Sequence, residues 1–299
     1  MIKKVSVLGA GTMGRGIAWI FAQKGFETTL YDPDENALKA AYEILRSNAK
    51  VADEAINYIK CTTNLHDSIY EADFVIESIP EDIQIKRQLY DKIAPYLKEE
   101  AVIASNTSSF SLALLSHKQP FSERFIIAHF FNPAHIIPLV EIVQSDHTKP
   151  GLVKYIASFL TDCGKVPVIL KKDINGFIAN RLQAAVLREA CYLLENGIAE
   201  ASDIDTVMME SIGVRWALNG PFEIADYGGL DIWENVLKNL LPVLDNTTLV
   251  PEVISEKIRQ HNFGLKSGKG FYNYEIRNAG SILENQKKKL NQILEVKKL

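Results

Sequence analysis

The chain of 299 residues has little cysteine, no long apolar run and no excess of positive charge, and each shortage excludes something. Its three cysteines, Cys61, Cys163 and Cys191, are odd in number, far apart and in no metal-ligand spacing. That excludes a disulfide framework, gives no reason to expect a metal site and fits reduced thiols in a reducing compartment. No uninterrupted apolar stretch is long enough for a bilayer, and Met1 leads almost at once into a strand-like run at 5–8 without a signal-like segment. The expectation is a cytoplasmic protein with no membrane partner. A formal net charge of -4 gives no reason to expect nucleic acid as a partner. The lysine-rich tail at 287–299 accordingly reads as a solvated final helix. No internal repeat is visible.

What is present is ordinary globular composition, 47% hydrophobic and 23% charged. At roughly 150 residues per domain the length suggests two domains. Up to about residue 170, β-branched runs at 5–8, 27–31, 74–76, 101–104 and 125–128 alternate with helical patterns at 13–24, 35–48 and 83–97. Further strands are expected at 138–143 and 166–170. This alternation predicts an α/β fold, a Rossmann-type doubly wound parallel sheet. After the charged break Lys171-Lys172-Asp173 the pattern becomes helical, at 177–196 with Gly197 as a C-cap, at 202–211 and at 231–241. The expected division is a dinucleotide-binding domain over 1–171 and an all-α C-terminal domain over 172–299.

Gly9-Ala10-Gly11-Thr12-Met13-Gly14 directly follows the first strand and opens the first helix. In such a turn the first glycine permits the tight bend, the second lets backbone approach a pyrophosphate, and the third allows close helix–strand packing. The phosphate charge then meets free N–H groups at the helix N-terminus. Asp32 ends the second strand, eighteen residues after Gly14, where an acid binds a ribose 2′-hydroxyl and repels a 2′-phosphate. Read alone, Asp32 before Pro33 is also an ordinary turn aspartate. Together the motif and the acid point to NAD rather than NADP. FAD uses a similar fingerprint.

His129 closes a buried apolar strand and Glu141 lies in the next apolar run, twelve residues later. Asn132, Pro133 and Pro138 between them suit a chain reversal. If the runs fold back about His135, residues 129 and 141 become partners, and the carboxylate fixes the imidazole tautomer for work as a general base. Spacing alone leaves a core histidine and an edge glutamate equally open.

The stretch Ala104-Ser105-Asn106-Thr107-Ser108-Ser109 joined with His129-Phe130-Phe131-Asn132-Pro133 and Pro138-Leu139-Val140-Glu141 closely resembles the 3-hydroxyacyl-CoA dehydrogenase family. So do Gly176-Phe177-Ile178-Ala179-Asn180-Arg181, Gly220-Pro221-Phe222-Glu223 and Lys266-Ser267-Gly268-Lys269-Gly270-Phe271-Tyr272, in the family's order across nearly the whole chain. The resemblance implies that His129 is the base, that Glu141 orients it, and that Ser108 and Asn180 hold the reacting oxygen. It implies that Glu81, Lys86, Asn106, Asn132 and Lys266 line the cofactor site, beside Gly9, Gly11, Thr12, Met13, Gly14 and Asp32. It further implies a homodimer through the helical domain and an active site in the interdomain cleft.

Each residue also has a plainer reading. Ser108 suits a helix N-cap or turn, Glu81 a first-turn acid, Lys86 an exposed helix charge and Lys266 a solvated loop residue. Asn180 in an apolar helix needs partners if buried. His66, His117, His135, His147 and His261 match no motif and are taken as structural.

The chain departs from the family's CoA-specific members after the second strand, where they insert a long helical hairpin. Residues 33–58 can form one good helix and a short second one. Glu77-Ser78-Ile79-Pro80-Glu81-Asp82 and Gly213-Val214-Arg215-Trp216-Ala217 look like relatives that oxidise free hydroxy acids, the L-gulonate and carnitine type. His129 to Pro133 and Ala225 to Asp231 look like the acyl-CoA branch. The expected substrate is a short-chain L-3-hydroxyacyl-CoA, first 3-hydroxybutyryl-CoA. The alternatives are a free 3-hydroxy acid and a non-enzymatic NAD-binding protein.

Overall fold

A computed structural model of the chain describes residues 1–48, 54–275 and 278–297. The chain divides into two compact units, Met1–Asn180 and Arg181–Leu299. In the first, eight strands form one sheet: β1 (Lys4–Leu8), β2 (Glu27–Tyr31), β3 (Ile59–Thr62), β4 (Phe74–Glu77), β5 (Val102–Ser105), β6 (Phe125–Phe130), β7 (Leu139–Val143) and β8 (Val166–Leu170). Their order is β3-β2-β1-β4-β5-β6-β7-β8. The first six are parallel. β7 turns back antiparallel to β6 and then pairs in parallel with β8.

Among the described residues six helices cover the sheet: α1 (Thr12–Ala22), α2 (Glu35–Asn48), α3 (Leu65–Ile69), α4 (Ile83–Ile93), α5 (Leu112–Ser116) and α6 (Leu152–Asp162). Successive strand residues point to opposite faces, so each strand feeds two cores. Val7, Ile76, Ala104 and Ala128 pack with residues of α1, α2 and α6. Leu8, Val75, Ile103 and Ile127 pack with α3, α4 and α5 on the other face. Burial on both faces explains why these strands read as near-continuous apolar runs. The expected helix at 83–97 is shorter, because Pro95 cannot continue an α-helix; a 3₁₀ turn, Ala94–Tyr96, follows α4.

After Asp32 the chain forms α2 and then a 3₁₀ turn, Glu54–Tyr58, before β3. Residues 49–53, part of the expected short second helix, lie outside the described residues.

Among the described residues seven further helices follow: α7 (Ala179–Glu195), α8 (Ala201–Val207), α9 (Val214–Leu218), α10 (Pro221–Gly228), α11 (Leu230–Leu240), α12 (Glu252–Arg259) and α13 (Ala279–Val296). The helix expected at 202–211 is not uniform. After α8 the backbone widens into a π-helical turn, Met208–Gly213. Gly213 suits it, since a Cβ there would stand 2.9 Å from the Met208 carbonyl oxygen. Among the described residues no helix is long and apolar enough to cross a membrane.

Candidate active site

Strand order reverses at β1, which has β2 on one side and β4 on the other. Open parallel sheets bind ligands outside the carboxyl ends of their strands at such a point. A cleft of about 1240 Å³ opens there, above Gly9 and Ser78, and runs from Asp32 to His129 and Asn180. All its lining residues belong to the first unit.

The glycine turn is built as its spacing predicts. Gly9 has φ +107°, and its N–H donates to the Tyr31 carbonyl at 2.7 Å. A Cβ on Gly14 would stand 1.7 Å from the Gly9 oxygen, so no larger residue fits the first turn of α1. Gly11 differs. It lines the cleft, and a Cβ there would meet nothing within 4 Å. Gly11 caps α1 without a side-chain hydrogen bond, which leaves its first N–H groups to an outside acceptor. The empty cradle beside an uncapped helix start fits a pyrophosphate. At the other end Asp32 Oδ2 accepts from the Ala10 N–H at 2.8 Å and Oδ1 from the Asp34 N–H at 3.0 Å. Each oxygen keeps lone pairs for ribose hydroxyls. These residues fit a dinucleotide. Thr12 and Met13 line the same stretch of cleft, whereas Gly14 lies behind it.

At the far end His129 and Glu141 face each other across the antiparallel β6–β7 pair. The Glu141 Oε2 lies 2.9 Å from His129 Nδ1, and both side chains are buried. A carboxylate can only accept, so Nδ1 carries a proton, and in the neutral imidazole Nε2 is the acceptor. Two rings, Phe131 at 4.4 Å and Phe177 at 5.4 Å between centroids, hold the imidazole. The other carboxylate oxygen, Oε1, accepts from the Ile178 and Ala179 N–H groups, each at 2.9 Å, at the start of α7. Burial pushes the Glu141 carboxyl up, but the bonds from His129, Ala179 and Ile178 outweigh it and hold the group below the ordinary carboxylate range. A helix start therefore fixes the carboxylate, and the carboxylate fixes the imidazole.

Ser108 is exposed to the cleft, and Asn180 lines it one turn of chain beyond Phe177. Asn180 is half-buried rather than enclosed, and its amide donates to the Ser108 carbonyl at 3.4 Å. The Ser108 loop is gathered by Glu81. The Oε1 of Glu81 accepts from the Thr107 hydroxyl at 2.6 Å, the Ser108 N–H at 2.9 Å, the Ser109 N–H at 3.0 Å and the Ser109 hydroxyl at 2.8 Å. Burial works against this charge, yet the Thr107 hydroxyl, the nearby Lys86 ammonium and the Ser109 and Ser108 groups hold the carboxyl down at about 2. Asn106 and Asn132 also line the cleft, and Asn106 Oδ1 accepts the Phe130 N–H at 2.8 Å.

Lys86 does not line the cleft, against what the resemblance implies, and it is not an exposed helix charge either. It is 1% exposed, and its ammonium lies 2.7 Å from Glu77 Oε1 and 3.2 Å from Glu81 Oε2. Glu77, fully buried at the end of β4, is a residue that sequence reasoning missed. Its carboxylate also accepts from the Ile79 N–H at 2.9 Å and from the Tyr90 and Ser105 hydroxyls, each at 2.7 Å. A charge this deep is tolerated only with such partners. The available signal was an acid ending a wholly apolar strand. Lys266 belongs to the second unit, exposed in a turn bridged between Gly264 and Lys269. Among the described residues no cluster of side chains could hold a metal ion.

With this geometry in view, comparison with known proteins is specific. Residues 4–174 match the model of the 3-hydroxyacyl-CoA dehydrogenase NAD binding domain, and residues 176–274 match that of its C-terminal domain. The chain is 33% identical over 298 residues, 97% of itself and 96% of the relative, to 5-formyl-3-hydroxy-2-methylpyridine 4-carboxylate 5-dehydrogenase of Mesorhizobium japonicum. It is 33% identical to the mitochondrial hydroxyacyl-coenzyme A dehydrogenase of Sus scrofa, over 92% of each chain. A crystal structure of a 5-formyl-3-hydroxy-2-methylpyridine 4-carboxylic acid 5-dehydrogenase, described as an NAD+-dependent dismutase, superposes with a TM-score of 0.93 at 32% identity, covering 100% of this chain and 99% of that one.

Proposed function

The chain belongs to the 3-hydroxyacyl-CoA dehydrogenase family of NAD-dependent oxidoreductases, and from that premise we propose that it oxidises the 3-hydroxyl of a short-chain L-3-hydroxyacyl-CoA, first 3-hydroxybutyryl-CoA, to the 3-keto product. The observation that carries this reading is the His129–Glu141 pair at one end of a cleft whose other end holds Asp32.

In this reading His129 Nε2 takes the proton of the substrate hydroxyl as hydride leaves C3. Glu141 then faces an imidazolium, whose charge it balances at 2.9 Å. A positioned base of this kind contributes roughly 10²–10⁴ in rate. The Ser108 hydroxyl and the Asn180 amide donate to the reacting oxygen as it becomes a carbonyl. Glu81 keeps Ser108 in place. Asn106, Asn132 and the glycine turn hold the cofactor, with Lys266 added on the family resemblance and Lys86 acting through Glu81. Bound NAD supplies the hydride acceptor.

A second reading, oxidation of a free 3-hydroxy acid, is favoured by two observations. Only α2 and a 3₁₀ turn are described between β2 and β3, where the family's CoA-specific members insert a long hairpin, and the chain superposes end to end on a dehydrogenase named for a free pyridine carboxylate. The assay that separates the two is NADH oxidation with acetoacetyl-CoA against a panel of free 3-keto acids. Turnover of acetoacetyl-CoA is expected, and turnover of the free acids alone overturns the CoA reading.

We further propose a homodimer through the helical unit, in the cytoplasm. No residue of α8 to α13 is buried, and Phe222, Leu249 and Tyr227 are 85%, 78% and 73% exposed. An apolar surface of this extent supports a partner subunit. Three free thiols support a reducing compartment.

A further inference from the structure

We propose that Lys165 is a positioning residue for this active site: its ammonium holds the β6–β7 connection, and through it Asn132 and the pairing of His129 with Glu141. The inference rests on the roles proposed above for those three residues. Lys165 sits just before β8, 6% exposed, and among the described residues it forms no ion pair. Its Nζ donates to the carbonyl oxygens of Ala134 and of Ile137, the latter at 3.0 Å. Both carbonyls belong to the connection 131–138, in which the Ile136 and Ile137 N–H groups both donate to Pro133 at 2.9 Å. That turn uses one carbonyl and leaves two others facing inward, where a partner is required. Lys165 supplies it for both. The adjacent Val166 N–H donates to the Pro138 carbonyl at 2.9 Å, so two neighbouring residues grip the connection at three points.

The connection also meets α1. A Cβ on Gly16 would stand 3.2 Å from the Ala134 Cβ, so helix and connection are at closest approach. The segment carrying Asn132 is thus in contact with both α1, the helix proposed to meet the cofactor phosphates, and the Lys165 ammonium. Its length also sets the register that places residue 129 opposite 141. Burial pushes the Lys165 ammonium down to about 8. A methionine would fill the same space without desolvating a charge. Keeping a lysine there makes sense when its hydrogen bonds are what the site needs.

The test is Lys165→Met, read by NADH titration without substrate, by kcat and by Tm, beside Val153→Ala, a truncation of α6 away from the cleft. Lys165→Met is expected to weaken NADH about ten-fold or more and to lower kcat by about ten- to a hundred-fold, the scale of a small misplacement of reacting groups. Val153→Ala should lower Tm and leave both values unchanged. Native NADH affinity and kcat in Lys165→Met overturn the proposal. So does the same loss of affinity in Val153→Ala at equal Tm, which makes the effect one of general stability. If Lys165→Met does not fold, Lys165→Leu, which also lacks a donor, is judged by the same pattern. NADH titration needs no substrate, so failure here is distinct from failure of the substrate reading.

Discussion

Replacing Glu141 by glutamine tests the central claim about the site, because it removes a charge and one acceptor while keeping size and shape. The carboxylate serves three donors: the His129 Nδ1–H on one oxygen and the Ile178 and Ala179 N–H groups on the other. A glutamine can satisfy only one side with its oxygen. If its NH₂ faced α7, two part-buried N–H groups would lose their acceptor and face another N–H donor, at up to about 1–3 kcal/mol each. If the NH₂ faces His129, only the imidazole must change, by moving its proton from Nδ1 to Nε2. The second arrangement wins, by up to roughly 2–6 kcal/mol. His129 then presents a proton to the cleft where it presented a lone pair, and the base is lost. We expect the single-turnover rate of NAD reduction by the 3-hydroxy substrate, the direction in which His129 must accept a proton, to fall by about 10²–10⁴, the range spanned by losing a general base and trapping the wrong tautomer. NADH affinity should stay near native, since Glu141 does not line the cleft. Nitrogen-15 spectra of labelled histidine report the tautomer directly. A rate within about ten-fold of native refutes the reasoning, because the base would not depend on its orienter. A lost rate with the proton still on Nδ1 refutes the tautomer argument.

How much of this was legible beforehand depended on whether a signal was local. The doubly wound sheet could be read from the chain, since strands buried on both faces and helices with one apolar stripe leave short-range patterns. The turn back at β7 was legible too. Asn132, Pro133 and Pro138 announce a reversal, and its length puts residue 129 opposite 141. What stayed hidden were buried charges. Glu77, Lys86 and Lys165 have polar side chains whose ordinary place is solvent, and nothing beside them in the chain says otherwise. Their partners are supplied by the fold. Lys165 meets carbonyls 31 and 28 residues away, and Glu77 meets a hydroxyl 28 residues on. Glu141 shows the same limit from the other side. Its partner His129 could be guessed from strand pairing. Its two backbone donors at 178 and 179 could not, because they depend on where a helix start is brought by the left-handed residues Gly176 and Phe177.

Two further outcomes follow from the geometry. The Glu81 carboxyl, ordinarily near 4.5, is held at about 2 in the folded chain, so its charge stabilises the fold in full above about pH 5, and that share is lost as pH falls toward 2. Urea unfolding of the native chain and of Glu81→Gln should show a gap that is constant near neutrality and closes in acid, and a gap independent of pH would contradict the assignment. The second outcome separates two glycines that the motif treats alike. Gly14→Ala drives a Cβ to 1.7 Å from the Gly9 carbonyl oxygen, a clash with backbone that no rotamer relieves. Overpacking of this severity should cost about 3 kcal/mol or more, against the roughly 0.5–1 kcal/mol that alanine ordinarily gains over glycine in a helix. Gly11→Ala meets no protein atom within 4 Å and has an ordinary φ of -64°, so its Tm should be native. Its new methyl group occupies the space beside the uncapped start of α1, and NADH titration should show affinity lost by about 10²-fold or more, the scale of displaced binding groups. If Gly11→Ala binds NADH normally, the pyrophosphate does not sit where the open cradle puts it. If Gly14→Ala is as stable as the native chain, the close approach to Gly9 is not real, and the turn must be built differently from the way its glycines imply.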